Sequence, residues 1–208
     1  MRNVRRHSLT SLLAALLLIT EAASGQAEVK SDDYHTGFSI GGFPIVNYNS
    51  DNGLGLGAGL AMFDYGPGLE PYRHAFYISA LITTRLVQNY AVDWYAPRLG
   101  GTALDWRLKL QFRRQIDAHY FGLGNTSEYH PRFIDRHSDR YISRHYYQFI
   151  HSTPSALLQL RYPLVGALSL MTGYSFRYNL HATYEDSLLD AERPLGWDGG
   201  FISMLQVG

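Results

Sequence analysis

The sequence predicts an all-β chain, a transmembrane antiparallel up-and-down β-barrel with about eight strands present. Three observations predict it. Between residues 104 and 113, Leu104, Trp106, Leu108, Leu110 and Phe112 alternate with Asp105, Arg107, Lys109, Gln111 and Arg113. Side chains of a strand face opposite sides in turn, so this segment has one oily face and one charged face. Its length matches a tilted strand that crosses a bilayer, roughly 9–11 residues. Second, the chain opens with the layout of an export signal. Third, no later apolar run approaches the roughly 20 residues of a spanning helix, so a membrane crossing would have to use strands. A half-buried strand of a soluble sheet alternates in the same way. Repetition along an exported chain is what favours the membrane.

The elements follow in order. Arg2, Arg5 and Arg6 precede an apolar run from Leu9 to Ile19, broken only by Thr10 and Ser11, and small residues follow at 22–25. These are the three parts of a secretory signal, cleaved after Gly25 or Ala27. Residues 1–25 are therefore read as a signal peptide, 26–36 as a short polar leader and 37–208 as the barrel domain. Phe38 to Asn47 reads as a first strand, with Pro44 tolerated at an edge or bulge. Residues 49–53 end in Asn52-Gly53, a strong hairpin signal. Leu54, Leu56, Ala58, Leu60 and Met62 then form an oily face, and Gly55, Gly57, Gly59 and Ala61 leave the other face almost bare. Gly66-Pro67-Gly68 and Pro71 mark a turn. Phe76, Ile78, Ala80 and Ile82 alternate with Tyr77, Ser79 and Thr83. After a break near 85–88, Tyr90, Val92 and Trp94 alternate with Ala91, Asp93 and Tyr95. Residues 97–102 turn the chain into the 104–113 strand.

Residues 115–140 read as a long polar loop rich in His and Arg. Tyr141 to Pro163 reads as one long strand, bulged near Thr153-Pro154. A tight turn at Val165-Gly166 leads to the alternation of Leu168, Leu170, Tyr174, Phe176, Tyr178 and Leu180 with Ser169, Ser175, Arg177, Asn179 and His181. A second polar loop spans 183–199, and a last strand begins at Gly200. No helix is expected after residue 37. Short turns alternate with longer connections, as in barrels with short periplasmic turns and long outer loops. That places 49–53, 115–140 and 183–199 outside the cell.

Composition narrows the function. Cleavage after residue 25 removes Arg2, Arg5, Arg6 and Glu21, leaving 15 basic and 17 acidic residues of the original 18 and 18. There is no basic excess of the kind nucleic acid attracts, and no nucleic-acid partner is expected. The chain has 0 cysteines, which excludes disulfides and thiolate metal sites. It has 16 Tyr and 20 Gly, which suits aromatic girdles and glycine-rich barrel strands.

The run from Gly42 through Phe43, Pro44, Ile45, Val46, Asn47, Tyr48, Asn49, Ser50, Asp51, Asn52, Gly53, Leu54, Gly55 and Leu56 to Gly57 resembles the opening of a known barrel domain. That domain belongs to the bacterial surface antigen family, the superfamily of outer-membrane barrel-assembly and translocation-assembly proteins. Tyr120-Phe121-Gly122-Leu123-Gly124-Asn125 is similar to the family's aromatic-Gly-Leu-Gly-Asn stretch after the fifth strand. Leu160-Arg161-Tyr162-Pro163 is similar to its sixth strand. The resemblance covers residues 37–208 and implies the first half of a sixteen-stranded barrel that closes between its first and last strands. It implies a place in the bacterial outer membrane, contact with outer-membrane lipid, and insertion or translocation of protein or lipid. Client membrane proteins would be engaged by lateral opening at a seam beside residues 38–48. These 208 residues do not contain the family's polypeptide-transport-associated repeats, its Asp-Thr-Arg-Asp stretch or its Arg-Gly-Phe loop motif. A passive pore or surface-exposed structural barrel is the alternative.

Other motifs weigh less. Gly53-Leu54-Gly55-Leu56-Gly57-Ala58 fits a dinucleotide fingerprint as a string, but it follows a hairpin turn and precedes no helix pattern. Glycine there lets a strand bend or twist sharply. His119, His130, His137, His145 and His151 lack the i, i+4 spacing of a helical zinc site and read as solvated loop residues. Asp139, Ser143 and His145 could suggest an embedded esterase, but closeness on an alternating strand does not orient a nucleophile to a base. Asp105, Arg107, Lys109, Arg113, Arg161 and Arg177 are read as lining a polar lumen. No catalytic, cofactor-binding or metal-binding residue is assigned, no cofactor is expected, and the chain is read as a non-enzyme.

Overall fold

A computed structural model describes residues 36–66, 71–124 and 127–208. The signal peptide and most of the leader lie outside the described residues, as does the turn at 67–70. Eight antiparallel strands form one sheet in sequence order: β1 (Gly37–Asn49), β2 (Gly53–Tyr65), β3 (His74–Thr83), β4 (Gln88–Ala96), β5 (Asp105–His119), β6 (Gln148–Val165), β7 (Leu168–Thr183) and β8 (Gly199–Val207). Each strand pairs with its sequence neighbours, the up-and-down order that the turn signals predict. The sheet is open, with β1 and β8 at its two edges. These eight strands do not close on themselves among the described residues. The shortest strands have 9 residues and the longest 18, enough for each to span a bilayer when tilted.

Cross-strand partners share a face, so the register sorts the side chains. One row runs across the whole sheet through Gly42, Leu60, Ile78, Val92, Leu110, Ala156, Phe176 and Ser203. The rows directly above and below it on the same face are Leu, Ile, Met, Ala, Pro and aromatic residues. Charge returns at the rims, with Asp64 at one end and Arg114 at the other. Asp64 is held by the Arg73 guanidinium through two bonds of 2.9 and 3.0 Å. Near that rim His74, Phe76, Trp94 and Trp106 stack in sequence across β3 to β5, with ring centroids 5.3–6.3 Å apart. Toward the opposite rim Tyr90 stacks on Phe112 and Phe176 on Phe201. The apolar face thus carries aromatic residues toward both ends, with mostly aliphatic residues and Phe176 in the row between.

Among the described residues nothing covers this face. Among the described residues the buried hydrophobics are Ala75, Val87, Ala96, Tyr147 and Leu189, at strand ends, in a turn and in the long loops. Val46, Leu56, Tyr174 and Leu205 are 49–70 % exposed. A chain of this size folding in water would place such residues in a core.

The sequence reading needs four corrections. The strand that alternates from 104 runs on to His119. The register with β6 slips between Gln115 and Ala118, and this bulge breaks the alternation that would have revealed the extension. The expected bulge at Thr153-Pro154 is absent, since Arg113 faces Thr153 and Phe112 faces Pro154 in unbroken register. The β6–β7 ladder skips residues 153 and 154, so the missing proline N–H falls on that side. The first loop therefore spans 120–147 rather than 115–140, and the strand after it starts at Gln148, not Tyr141. Finally, the second loop holds a five-residue helix, α1 (Leu188–Glu192), capped by Ser187, whose hydroxyl accepts from Asp190 N at 3.3 Å.

Candidate functional site

Three regions carry the chemistry of this sheet. The first is the edge formed by β1. Its thirteen residues pair with β2 on one side only. The hairpin that starts the pair is closed by the Asn49 side chain, which accepts from Asn52 N at 2.6 Å, and by Gly53 at φ +74°. The glycine track of β2 is not bare, as alternation alone suggests. The Phe43 ring lies on Gly59 and the Asn47 carboxamide on Gly55, so β1 side chains fill the space that β2 leaves. At Gly57 the approach is between backbones. A Cβ there would overlap the Ala80 carbonyl of β3. This track continues as strand to Tyr65 instead of opening a helix, so the dinucleotide string has no helix N-terminus to offer a phosphate.

The second region is the loop end. Loops 120–147 and 184–198 leave the same end of the sheet, together with the 50–52 and 84–87 turns. They pack on each other. Leu188 N donates to Tyr146 O at 2.7 Å, and the Tyr120 hydroxyl donates to Glu192 Oε2 at 2.6 Å. Burial first, then the Glu192 carboxylate, pushes the Tyr120 phenol up to about 12. Burial pushes the Tyr146 phenol upward as well, helped by Tyr147 and Glu192. Phe121, Tyr129 and Tyr147 contact one another with centroids 5.0–5.8 Å apart. The Tyr147 hydroxyl accepts from His130 N at 2.9 Å. Around them lies a cavity of about 450 Å³, lined in part by His119, Arg144 and Gln148. Position-by-position polarity missed this cluster. The signal was present in the seven aromatic residues that interleave with the charged ones from 120 to 147.

The structure separates the residues of the esterase reading. His145 Nδ1 faces Gln148 Oε1 at 2.7 Å and its Nε2 accepts from Arg144 at 2.6 Å. Its ring stacks on Tyr184 at 4.2 Å. Ser143 Oγ accepts from the His145 backbone instead of donating to its ring, and Asp139 meets Ser138. His145 is thus a packed residue, not a solvated one. His151 likewise lies in β6, in ring contact with His181 at 5.0 Å. Among the described residues no group of three His, Asp or Glu is arranged to hold a metal ion.

The third region is the face opposite the oily one. The register brings Asp105, Arg107, Lys109, Arg113, Arg161 and Arg177 to it together, as the lumen reading expects. Arg107 grips Asp93 through bonds of 3.0 and 2.7 Å. Arg161 Nε donates to Ser169 Oγ at 3.1 Å, and Gln111 Nε2 donates to Asn89 Oδ1 at 3.0 Å. The face is mixed rather than wholly polar. Charge concentrates on β4 to β7, while Phe43, Ile45, Leu81, Leu157, Ile202 and Met204 also sit on it.

Comparison with family models, with curated proteins and with solved structures finds no match for this chain.

Proposed function

We propose that this chain is a membrane-embedded sheet of the bacterial outer membrane, of the surface-antigen type, whose open β1 edge engages client membrane proteins during their insertion or translocation. The observation that carries the reading is the apolar face. It crosses all eight strands without a charge between its rims, it is bordered by aromatics, and it is exposed. Lipid is the solvent that makes such a face stable. The opposite face carries the hydrogen-bonding and charged groups that a lumen requires.

The assembly role rests on the resemblance of residues 42–57, on the order of two further stretches and on one fact about the edge. The Tyr120-Phe121-Gly122-Leu123-Gly124 stretch directly follows the fifth strand, and Leu160-Arg161-Tyr162-Pro163 lies in the sixth, as in the family's order. β1 leaves a row of backbone donors and acceptors unpaired, each of which costs several kcal/mol in hydrocarbon. An extended client segment that adds to this edge would satisfy them, which is the logic of strand addition. The second reading, a passive pore, is favoured by the charged side chains of β4 to β7.

The test is site-specific photo-crosslinking in cells from Ile40 and Val46 on β1. An assembly role predicts adducts with newly made outer-membrane proteins that disappear when their synthesis is stopped. Adducts with lipid alone would remove the assembly role and leave the pore.

A further inference from the structure

Among the described residues two strand cations of the polar face have partners and three do not. Arg107 is held by Asp93, and Arg161 by Ser169. Lys109 faces Asp93 across the β4–β5 ladder, but that carboxylate is occupied by Arg107. Arg113 and Arg177 make no ion pair among the described residues. Their positions follow from the register. Arg177 on β7 faces Ser155 on β6, and Ser155 faces Gln111 on β5. Arg113 sits two residues beyond Gln111, opposite Thr153. The two arginines therefore flank β6, about 10 Å apart in the direction across the strands. Two guanidinium stems of ordinary length close such a gap around one anion.

The space between them is a hollow of about 330 Å³. Besides the two arginines it is lined by Gln111, Gln115, His151, Thr153, Ser155 and Asn179. None of these six is acidic, and every one can donate a hydrogen bond. A second hollow of about 350 Å³ shares Gln111, Ser155 and Arg177 and runs on to Lys109. No carboxylate lines either. The hydroxyl of Thr153 and the ring of His151 are already ordered, at 3.1 Å from each other.

We propose that Arg113 and Arg177, with Lys109 at the far end of the groove, form a binding site for a phosphate-bearing ligand on the polar face of the sheet. Arginine forks match the geometry of phosphate oxygens, and charge-assisted bonds of this kind are the strong ones. A phosphate offers enough acceptor oxygens to meet both forks and a hydroxyl together. The hollow exceeds the size of phosphate itself and leaves room for the rest of a small phosphate ester. The site needs only the register of β5, β6 and β7, so it stands apart from the assembly role and from the lipid contact of the opposite face.

The experiment is isothermal titration of the full chain, folded in zwitterionic micelles, with inorganic phosphate. A second arm uses the same micelles doped with phosphatidylglycerol. Saturable binding of inorganic phosphate assigns a soluble source, and an effect of the doped micelles alone assigns a lipid headgroup. Either result upholds the site if Arg113→Gln and Arg177→Gln each weaken binding about tenfold and together abolish it. Arg161→Gln, outside the hollow, leaves it unchanged. Arg113→Lys/Arg177→Lys keeps the charge and the strand signature in circular dichroism but loses the forks, and it binds more weakly than the parent. Binding that is undiminished in the double glutamine variant, or a non-saturating response that chloride reproduces, overturns the proposal.

Discussion

At the scale of residues, Tyr120 ties the two long loops together. Its hydroxyl donates to Glu192 at 2.6 Å, and its phenol is pushed up to about 12 from an ordinary value near 10. A folded-state value above the unfolded one means that the neutral form is the stabilised one. The contribution of this bond is fully present below about pH 10 and is lost as pH rises through about 12. Alkaline ultraviolet difference titration of the parent against Tyr120→Phe should show this phenol ionising last among the loop tyrosines. Glu192→Gln removes the charge and should bring its midpoint down toward the ordinary value. An unchanged midpoint in that variant would mean that Glu192 has no part in the shift. Nothing in the local sequence announces this pair, because its members lie 72 residues apart. The aromatic content of the 120–147 segment did signal a packed cluster. His137 is as solvated as its polar neighbours suggested, at 96 % exposure, whereas His145 looked solvated only because it was weighed alone and is in fact clamped between Gln148, Arg144 and Tyr184.

At the scale of elements, alternation revealed every strand but not every end. β5 outruns its alternating stretch because the bulge after Gln115 changes which face the next residues take. Period-2 reasoning stops at such a slip. Pro154 misled in the opposite direction. It suggested a bulge, yet it fits an inner strand because the β6–β7 ladder is interrupted beside it. The glycine track of β2 was visible as a pattern, but its filling by Phe43 and Asn47 depends on the register with β1. Gly57 is where this packing leaves no slack. Gly57→Ala should destabilise the folded chain by about 1–3 kcal/mol through overlap with the Ala80 carbonyl. Gly41→Ala, where a Cβ meets nothing within 4 Å, should stay within about 0.5 kcal/mol of the parent. Urea unfolding of the chain in lipid vesicles measures both. Equal effects at the two positions would mean that β2 and β3 are not in close contact.

At the scale of the molecule, the described residues form a ladder of neighbouring strands in one sheet. Its strand order was legible because each hairpin carries its own turn signal, such as Asn52-Gly53 or Gly166. Its openness was not legible in alternation, which says nothing about edges; only the resemblance, which implies half of a larger barrel, pointed to it. The proposed lipid contact would account for an eight-stranded sheet with one oily face and, among the described residues, few buried hydrophobic residues. The absence of cysteine makes the decisive measurement direct. Single cysteines placed in turn from 105 to 113, in the full chain folded into vesicles, are labelled with a nitroxide and tested for collision with oxygen in the lipid and with a nickel complex in water. The account predicts a period of two, with lipid access at 106, 108, 110 and 112 and water access at 105, 107, 109, 111 and 113. Labels at the even positions that are shielded from lipid, or a profile without alternation, would contradict the membrane sheet itself.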